Sequence, residues 1–264
     1  MAEASKSSAP LPLEGRVAIV TGAAGRGVGR ATALALARDG ADVVVNTHRT
    51  LQAAEDVAAQ VRELGRRAVV IEGDVSRPEV VDALVARAGA DLGEPGIVVA
   101  SAGGLWKPRP IEDIPPEEWR EAMAEEVDSL YLLARAVLPS MRAAGWGRIV
   151  TVGGYDAESW TAPPQDAPID YALGKAARHW LVRTLARHEA PHGVTVNAVA
   201  PGPITRVPLD ALRDAVLARH DLEGYRHPTQ VDVANAIAWL CASPSVTGSI
   251  VELPGPEPGA VSIG

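Results

Sequence analysis

The sequence predicts an α/β fold: a doubly wound parallel sheet of about seven strands with helices on both faces. Three observations carry that expectation. Short β-branched runs recur along the chain, long segments of helical period separate them, and a glycine-rich turn joins the first run to the first helical segment. Strands that are apolar over their whole length have both faces covered, and right-handed crossovers between parallel strands then place helices on each side.

The elements follow in order. Residues 17–20, Val17-Ala18-Ile19-Val20, are wholly apolar and open the sheet; the amphipathic segment 30–39 follows as the first helix. Runs 43–45, 68–71 and 97–100 are valine- and isoleucine-rich and supply strands two to four. Runs 149–152, 194–199 and 250–253 supply strands five to seven, and helical periods over 122–141, 176–190 and 234–242 lie between them. Trp239, inside the last of these helices, is expected in the core. The pattern is that of a Rossmann-type sheet, in which ligands bind at the carboxyl ends of the strands. Chemistry is therefore sought in the segments that begin at Thr21, Asn46, Asp74, Ser101, Gly153 and Pro201.

At 264 residues and 47% hydrophobic composition the chain can bury one large core. Residues 1–14 mix Ala, Ser, Pro and charge and read as a loose leader; residues 15–264 read as a single dinucleotide-binding and catalytic domain. A net charge of -8 excludes a basic footprint for nucleic acid or an anionic membrane, so the expected partner is a small molecule. No signal-peptide segment and no run of about 18 apolar residues is found, and the one cysteine, Cys241, forms no internal disulfide. A cytoplasmic location is expected.

In the turn Thr21-Gly22-Ala23-Ala24-Gly25-Arg26-Gly27-Val28-Gly29, glycines let the backbone approach a pyrophosphate, and the free amides of the first helical turn face the anion. Later, Tyr171-Ala172-Leu173-Gly174-Lys175 sets a phenol and an ammonium one helical turn apart on one face. A phenol with a reference pKa of about 10 becomes useful near neutrality only if a neighbouring cation favours its ionised form, and Lys175 is placed to be that cation.

On these pieces the chain resembles the short-chain dehydrogenase/reductase family from about residue 13 to residue 254. The matching pieces are the glycine turn, Asp74-Val75 after strand three, Ala102-Gly103 after strand four, Tyr171 with Lys175, and Asn197 to Ile204 around the end of strand six. The resemblance implies a nicotinamide cofactor, a proton exchanged between Tyr171 and a carbonyl or alcohol oxygen, and Lys175 on the nicotinamide ribose. It further implies Asp74 beside adenine, and Pro201, Gly202 and Ile204 along the nicotinamide. Thr21, Gly22, Gly25, Arg26, Gly27, Val28, Gly29, Val75, Ala102 and Gly103 complete the cofactor set. Homodimers or homotetramers are implied, through the helices at 122–141 and 176–190.

Strand two ends Val45-Asn46-Thr47-His48-Arg49 with no carboxylate to hold a ribose diol. Arg49 and Arg26 offer a cationic fork for a 2′-phosphate, which favours NADP(H); Asn46 with Thr47 leaves NAD(H) as the alternative.

Three departures from the family pattern stand out. The glycine turn is one residue longer, and Gly25 is expected to ease the bend. Gly154 falls where the family carries a catalytic serine, leaving Ser159, or Tyr155 or Thr161, to fold back in its place. Glu126 falls where the family carries an asparagine on the preceding helix, and it can pair with Lys175 or act as an acid or base. These losses keep two other readings open: a non-redox dehydratase, isomerase or cyclase on the same scaffold, and a silent nucleotide-binding protein.

His188-Glu189-Ala190-Pro191-His192 spells a zinc-protease motif, but Pro191 breaks the helix that motif needs, and no metal site is expected. Trp106 and Trp160 are expected beside an aromatic or hydrophobic substrate. The acidic runs Glu117-Glu118 and Glu125-Glu126 read as solvated helix faces, Glu126 apart.

Overall fold

The computed structural model describes residues 10–104, 106–157, 168–219 and 227–255. Seven strands, β1 Val17–Val20, β2 Asp42–Thr47, β3 Ala68–Glu72, β4 Ile97–Ala100, β5 Gly147–Val152, β6 Val194–Pro201 and β7 Ile250–Leu253, form one sheet. Their order is β3-β2-β1-β4-β5-β6-β7, and every neighbouring pair is parallel. The doubly wound Rossmann-type fold is thus as expected. The order reverses between β1 and β4, so the crevice opens where their carboxyl ends diverge.

Helices α1 Val28–Arg38, α2 Leu51–Glu63, α7 Leu209–Ala218 and α8 Gln230–Ala242 cover one face. Helices α3 Pro78–Asp91, α5 Ser129–Ala144 and α6 Ile169–Glu189 cover the other. The central strands are buried on both sides, as their unbroken apolar runs require. Leu13, within the segment read as leader, is in the core, and its N–H donates to Asp39 O at 2.8 Å.

Two further expectations change. The helix expected over 122–141 is α4 Pro116–Met123, a π turn at Ala124–Asp128, and then α5. A π turn carries one extra residue per turn, and such turns gather at functional sites. Trp239 is 53% exposed: the sheet-facing stripe of α8 is Ala234, Ile237, Ala238 and Cys241, and position 239 is turned about 150° from its centre.

The start of α8 is fixed by a reciprocal cap. Thr229 Oγ1 accepts from the N–H groups of Val231 and Asp232, and Asp232 Oδ2 accepts from Thr229 N–H at 2.7 Å. Thr229→Ala is expected to lower stability by about 1 kcal/mol, read as a lower urea midpoint at unchanged slope.

Candidate active site

At the carboxyl ends of β1 to β4 lies a cleft of about 350 Å³ whose walls include Gly22, Arg49, Asp74, Ala102, Gly103 and Tyr171. The glycine turn enters it under close constraint. Gly22 has φ +63°, and a Cβ there would meet Ala102 Cα at 3.1 Å; a Cβ on Gly29 would lie 2.5 Å from Gly22 O. These two glycines press the start of α1 onto the end of β1, leaving the helix N-terminus open to an anion. The turn is braced by Arg30, which is buried and donates to the carbonyls of Ala24, Gly25 and Ala53. Gly25 is not what eases the bend: its φ is not positive, and a Cβ there would reach only Gly27 N, at 3.9 Å.

Thr21 is fully buried, and its Oγ1 accepts from Ser101 N–H at 3.1 Å and Ala102 N–H at 3.0 Å. It ties β1 to the end of β4, so its work is in the frame. Asn46 lies within β2, and its amide donates to Ile71 O and Gly73 O, both at 3.1 Å. Those bonds tie β2 to β3, and Asn46 itself borders the cleft. Arg49 borders the cleft, whereas Arg26 is exposed on the turn and does not. Although burial opposes it, the N–H and hydroxyl of Ser76, with His48 and Arg77, hold the Asp74 carboxyl below its usual range.

The reactive side chains sit on α6 and on the π turn. Asp170, in the first turn of α6, accepts from Tyr171 N–H at 2.9 Å and lies 3.7 Å from Arg109. Lys175, one turn on, is buried; its Nζ lies 5.0 Å from the Tyr171 ring centre, donates to Val152 O at 3.3 Å and stands 3.0 Å from Glu126 Oε2. Trp106 meets the same phenol edge-on, with ring centres 5.4 Å apart. Glu126 has no exposed surface, and its Oε1 accepts from Gly104 N–H at 2.6 Å.

The pairing of Glu126 with Lys175 that the sequence allowed is present, and it sets the charge in this corner. Burial, and then the Glu126 carboxylate, push the Tyr171 phenol up to about 12, against Arg178. Burial, and then Arg178, pull the Lys175 ammonium down to about 8, against Glu126. Lys175 alone therefore does not lower the phenol, because a buried carboxylate faces both groups.

Arg178 was not among the residues singled out from the sequence. Its signal was an arginine three residues after Lys175, on a helix face that must pack against the sheet. Arg30 was missed in the same way.

Other expected positions are plainly placed. A Cβ on Gly154 would lie 3.2 Å from both Cβ and Cγ of Lys175, so any side chain there crowds the lysine stem. Ser159, Trp160 and Thr161 lie outside the described residues. Pro201 ends β6, and Gly202 and Ile204 follow it at the same edge of the sheet, with Gly202 N–H donating to Leu253 O at 3.0 Å. Glu189 of the zinc-protease motif is held by Arg142 at 2.6 and 2.7 Å, and His192 sits on a 3₁₀ turn past the end of α6. Glu118 pairs with Arg109 at 2.8 Å, and Glu125 faces the cleft instead of open solvent.

Comparison with known proteins bears on the chain as a whole. The sequence pattern of a family described as enoyl-(acyl carrier protein) reductase matches residues 22–255. A 3-oxoacyl-(acyl-carrier-protein) reductase of Pseudomonas aeruginosa is 35% identical over 93% of this chain and 98% of its own. A 7alpha-hydroxysteroid dehydrogenase of Escherichia coli K12 is 33% identical over 93% and 95%. Among solved structures, a short-chain type dehydrogenase/reductase from Mycobacterium marinum superposes with a TM-score of 0.78 at 29% identity, covering 93% of this chain and 96% of its own. The acetoin dehydrogenase of Enterobacter cloacae superposes with a TM-score of 0.77 at 31% identity, over 91% and 95%. With the glycine turn, the Tyr171–Lys175 pair and the sheet order, these matches place the chain in the short-chain dehydrogenase/reductase family of oxidoreductases.

Proposed function

We propose that residues 15–264 act as one domain that transfers a hydride between NADP(H) and the carbonyl or alcohol carbon of a small molecule with a flat, apolar part. One observation carries this reading: Tyr171, with Lys175 behind it, borders the same cleft as Gly22, Asp74, Ala102 and Gly103. The cleft suits a dinucleotide, because its glycine cradle would be filled by a Cβ at position 22 and the α1 N-terminus is open to phosphate. Gly22, Gly27 and Val28 would hold the pyrophosphate, Asp74 and Val75 the adenine, and Gly103, Pro201, Gly202 and Ile204 the nicotinamide. Bound there, the cofactor supplies or accepts the hydride.

The chain's own groups do the rest. Tyr171 Oη gives its proton to the substrate oxygen in reduction and takes one in oxidation. Lys175 holds a positive charge beneath that phenol and offers its remaining N–H groups to the ribose. Trp106, edge-on to Tyr171 and 42% exposed, forms a wall against which a flat apolar substrate rests. Position 154 has no hydroxyl to polarise the carbonyl, a loss worth about 10²–10³ in rate for a comparable donor, and Ser159 is the residue assigned to restore it. Glu126, held by Gly104 N–H and facing two cations, acts on Lys175 and not on substrate. Exposed Tyr131 on α5 and Trp180 on α6 support a dimer or tetramer through these helices.

Incubation with each cofactor and a carbonyl and alcohol panel tests the reading, with deuterium at the transferable position of the reduced cofactor. Label in the product supports it. Turnover without label passing between cofactor and product overturns it in favour of a non-redox enzyme. The cofactor preference has a separate check: Arg49→Ala is expected to weaken NADPH binding by about tenfold relative to NADH, in fluorescence titrations, as a charge-assisted contact to the 2′-phosphate is lost.

A further inference from the structure

Arg178 is wholly buried on α6, and six acceptors surround it. Nε donates to Glu126 O at 2.7 Å. Nη1 donates to Ala100 O, Thr151 Oγ1 and Val152 O at 3.1, 3.0 and 3.3 Å, and Nη2 to Ala102 O and Glu125 O at 2.6 and 3.1 Å. It therefore pins the ends of β4 and β5 to the π turn. The same Nε lies 2.9 Å from Glu126 Oε2, so one carboxylate oxygen faces both Arg178 and Lys175. Space is left for that carboxylate: a Cβ on Gly103 would lie 2.6 Å from its Oε1, and a Cβ on Gly174 would lie 2.5 Å from Glu126 Cβ.

The sum of charges gives this packing its meaning. A lysine beside a neutral amide presents one positive charge to the phenol, whereas a lysine beside a buried carboxylate presents none. Adding a second buried cation restores a net charge of one.

We propose that Arg178 is a positioning residue for Lys175: it holds the Glu126 carboxylate against the ammonium and returns to the corner the positive charge that Glu126 cancels. Glu126, Lys175 and Arg178 then work as one unit beneath Tyr171. The proposal rests on the assignment of Lys175 to the proton step, but its test reads the lysine directly and needs neither substrate nor turnover. Failure here leaves that assignment standing, and failure of hydride transfer leaves this test intact.

Other charged and titratable groups also face the corner and must be common to every variant. They are Asp170 with Arg109, and His179 of α6 itself; Glu121 and Glu125 from the helix and π turn opposite; and Arg49 and Asp74, which act on Glu125 from the ends of β2 and β3.

The chain has three lysines, Lys6, Lys107 and Lys175, so ¹³Cε-lysine labelling of the full protein gives three resolvable signals. Their shifts are followed by NMR from about pH 6 to 11. The Lys175 midpoint is expected near 8 in the parent chain. Removing a nearby cation should raise it by about one unit or more in Arg178→Met, and removing the anion should lower it by a similar amount in Glu126→Gln. The pair Glu126→Gln/Arg178→Met should return it close to the parent value, and Arg178→Lys, which keeps the charge, should leave it there, while Lys6 serves as the fixed reference.

If Arg178→Met does not fold, Glu126→Gln and the pair Glu126→Gln/Arg178→Met still decide the matter. A fall in the first with a return toward the parent value in the second supports the proposal, and an equal fall in both overturns it. An unmoved midpoint in Glu126→Gln, or shifts of the same sign in Glu126→Gln and Arg178→Met, overturns it.

Discussion

Tyr171→Phe should cut kcat/KM for hydride transfer by about 10²–10⁴-fold while changing cofactor affinity by no more than a few-fold. The substitution removes one oxygen and keeps the ring, so the edge-on contact with Trp106 and the approach of the Lys175 ammonium both survive. Only proton transfer at the substrate oxygen is lost. Steady-state rates at saturating cofactor, with cofactor titrations by fluorescence, separate the two effects. A loss of less than about tenfold would mean that another group carries the proton, and the role given to Tyr171 would have to be withdrawn.

The largest expected effect on stability comes from the buried ions. Arg178→Met should destabilise the fold by about 3–5 kcal/mol, because it leaves the Glu126 carboxylate with one fewer counter-charge and takes the donor from the carbonyls of Ala100, Ala102 and Glu126. Neutralising both partners at once removes the uncompensated charge. Glu126→Gln/Arg178→Met should therefore cost less than the two single changes added together, by about 1 kcal/mol or more. Urea unfolding of the four chains gives this cycle. Strict additivity would show that the two groups are not energetically coupled.

The two predictions probe different things that the same few residues do. Tyr171 is open to the cleft and can be altered at little structural cost. Arg178 binds two strands and the π turn together, so its chemistry and its structural work cannot be separated by stability alone. The lysine titration is the measurement that separates them.

The sequence by itself determined the strands, their parallel arrangement in a doubly wound sheet and the placing of the glycine turn and the Tyr171–Lys175 pair on it. Val17–Val20 and Ile97–Ala100 can only be buried strands, the glycine turn can only sit at a strand-to-helix junction, and Tyr171 and Lys175 share a helix face by periodicity alone. Each of these features is local, written in residues a few positions apart.

Tertiary structure decided the rest, since it depends on what lies opposite each side chain. Asn46 ties β2 to β3 as well as bordering the cleft, Thr21 ties β1 to the end of β4, and Trp239 turned outward because Ala234, Ile237, Ala238 and Cys241 occupy the stripe that faces the sheet. Glu126 and Arg178 lie 52 residues apart and meet only when α6 packs on the π turn. The charge felt by Tyr171 and Lys175 is set by that meeting, because electrostatic coupling in a buried site follows distance in space and not spacing along the chain.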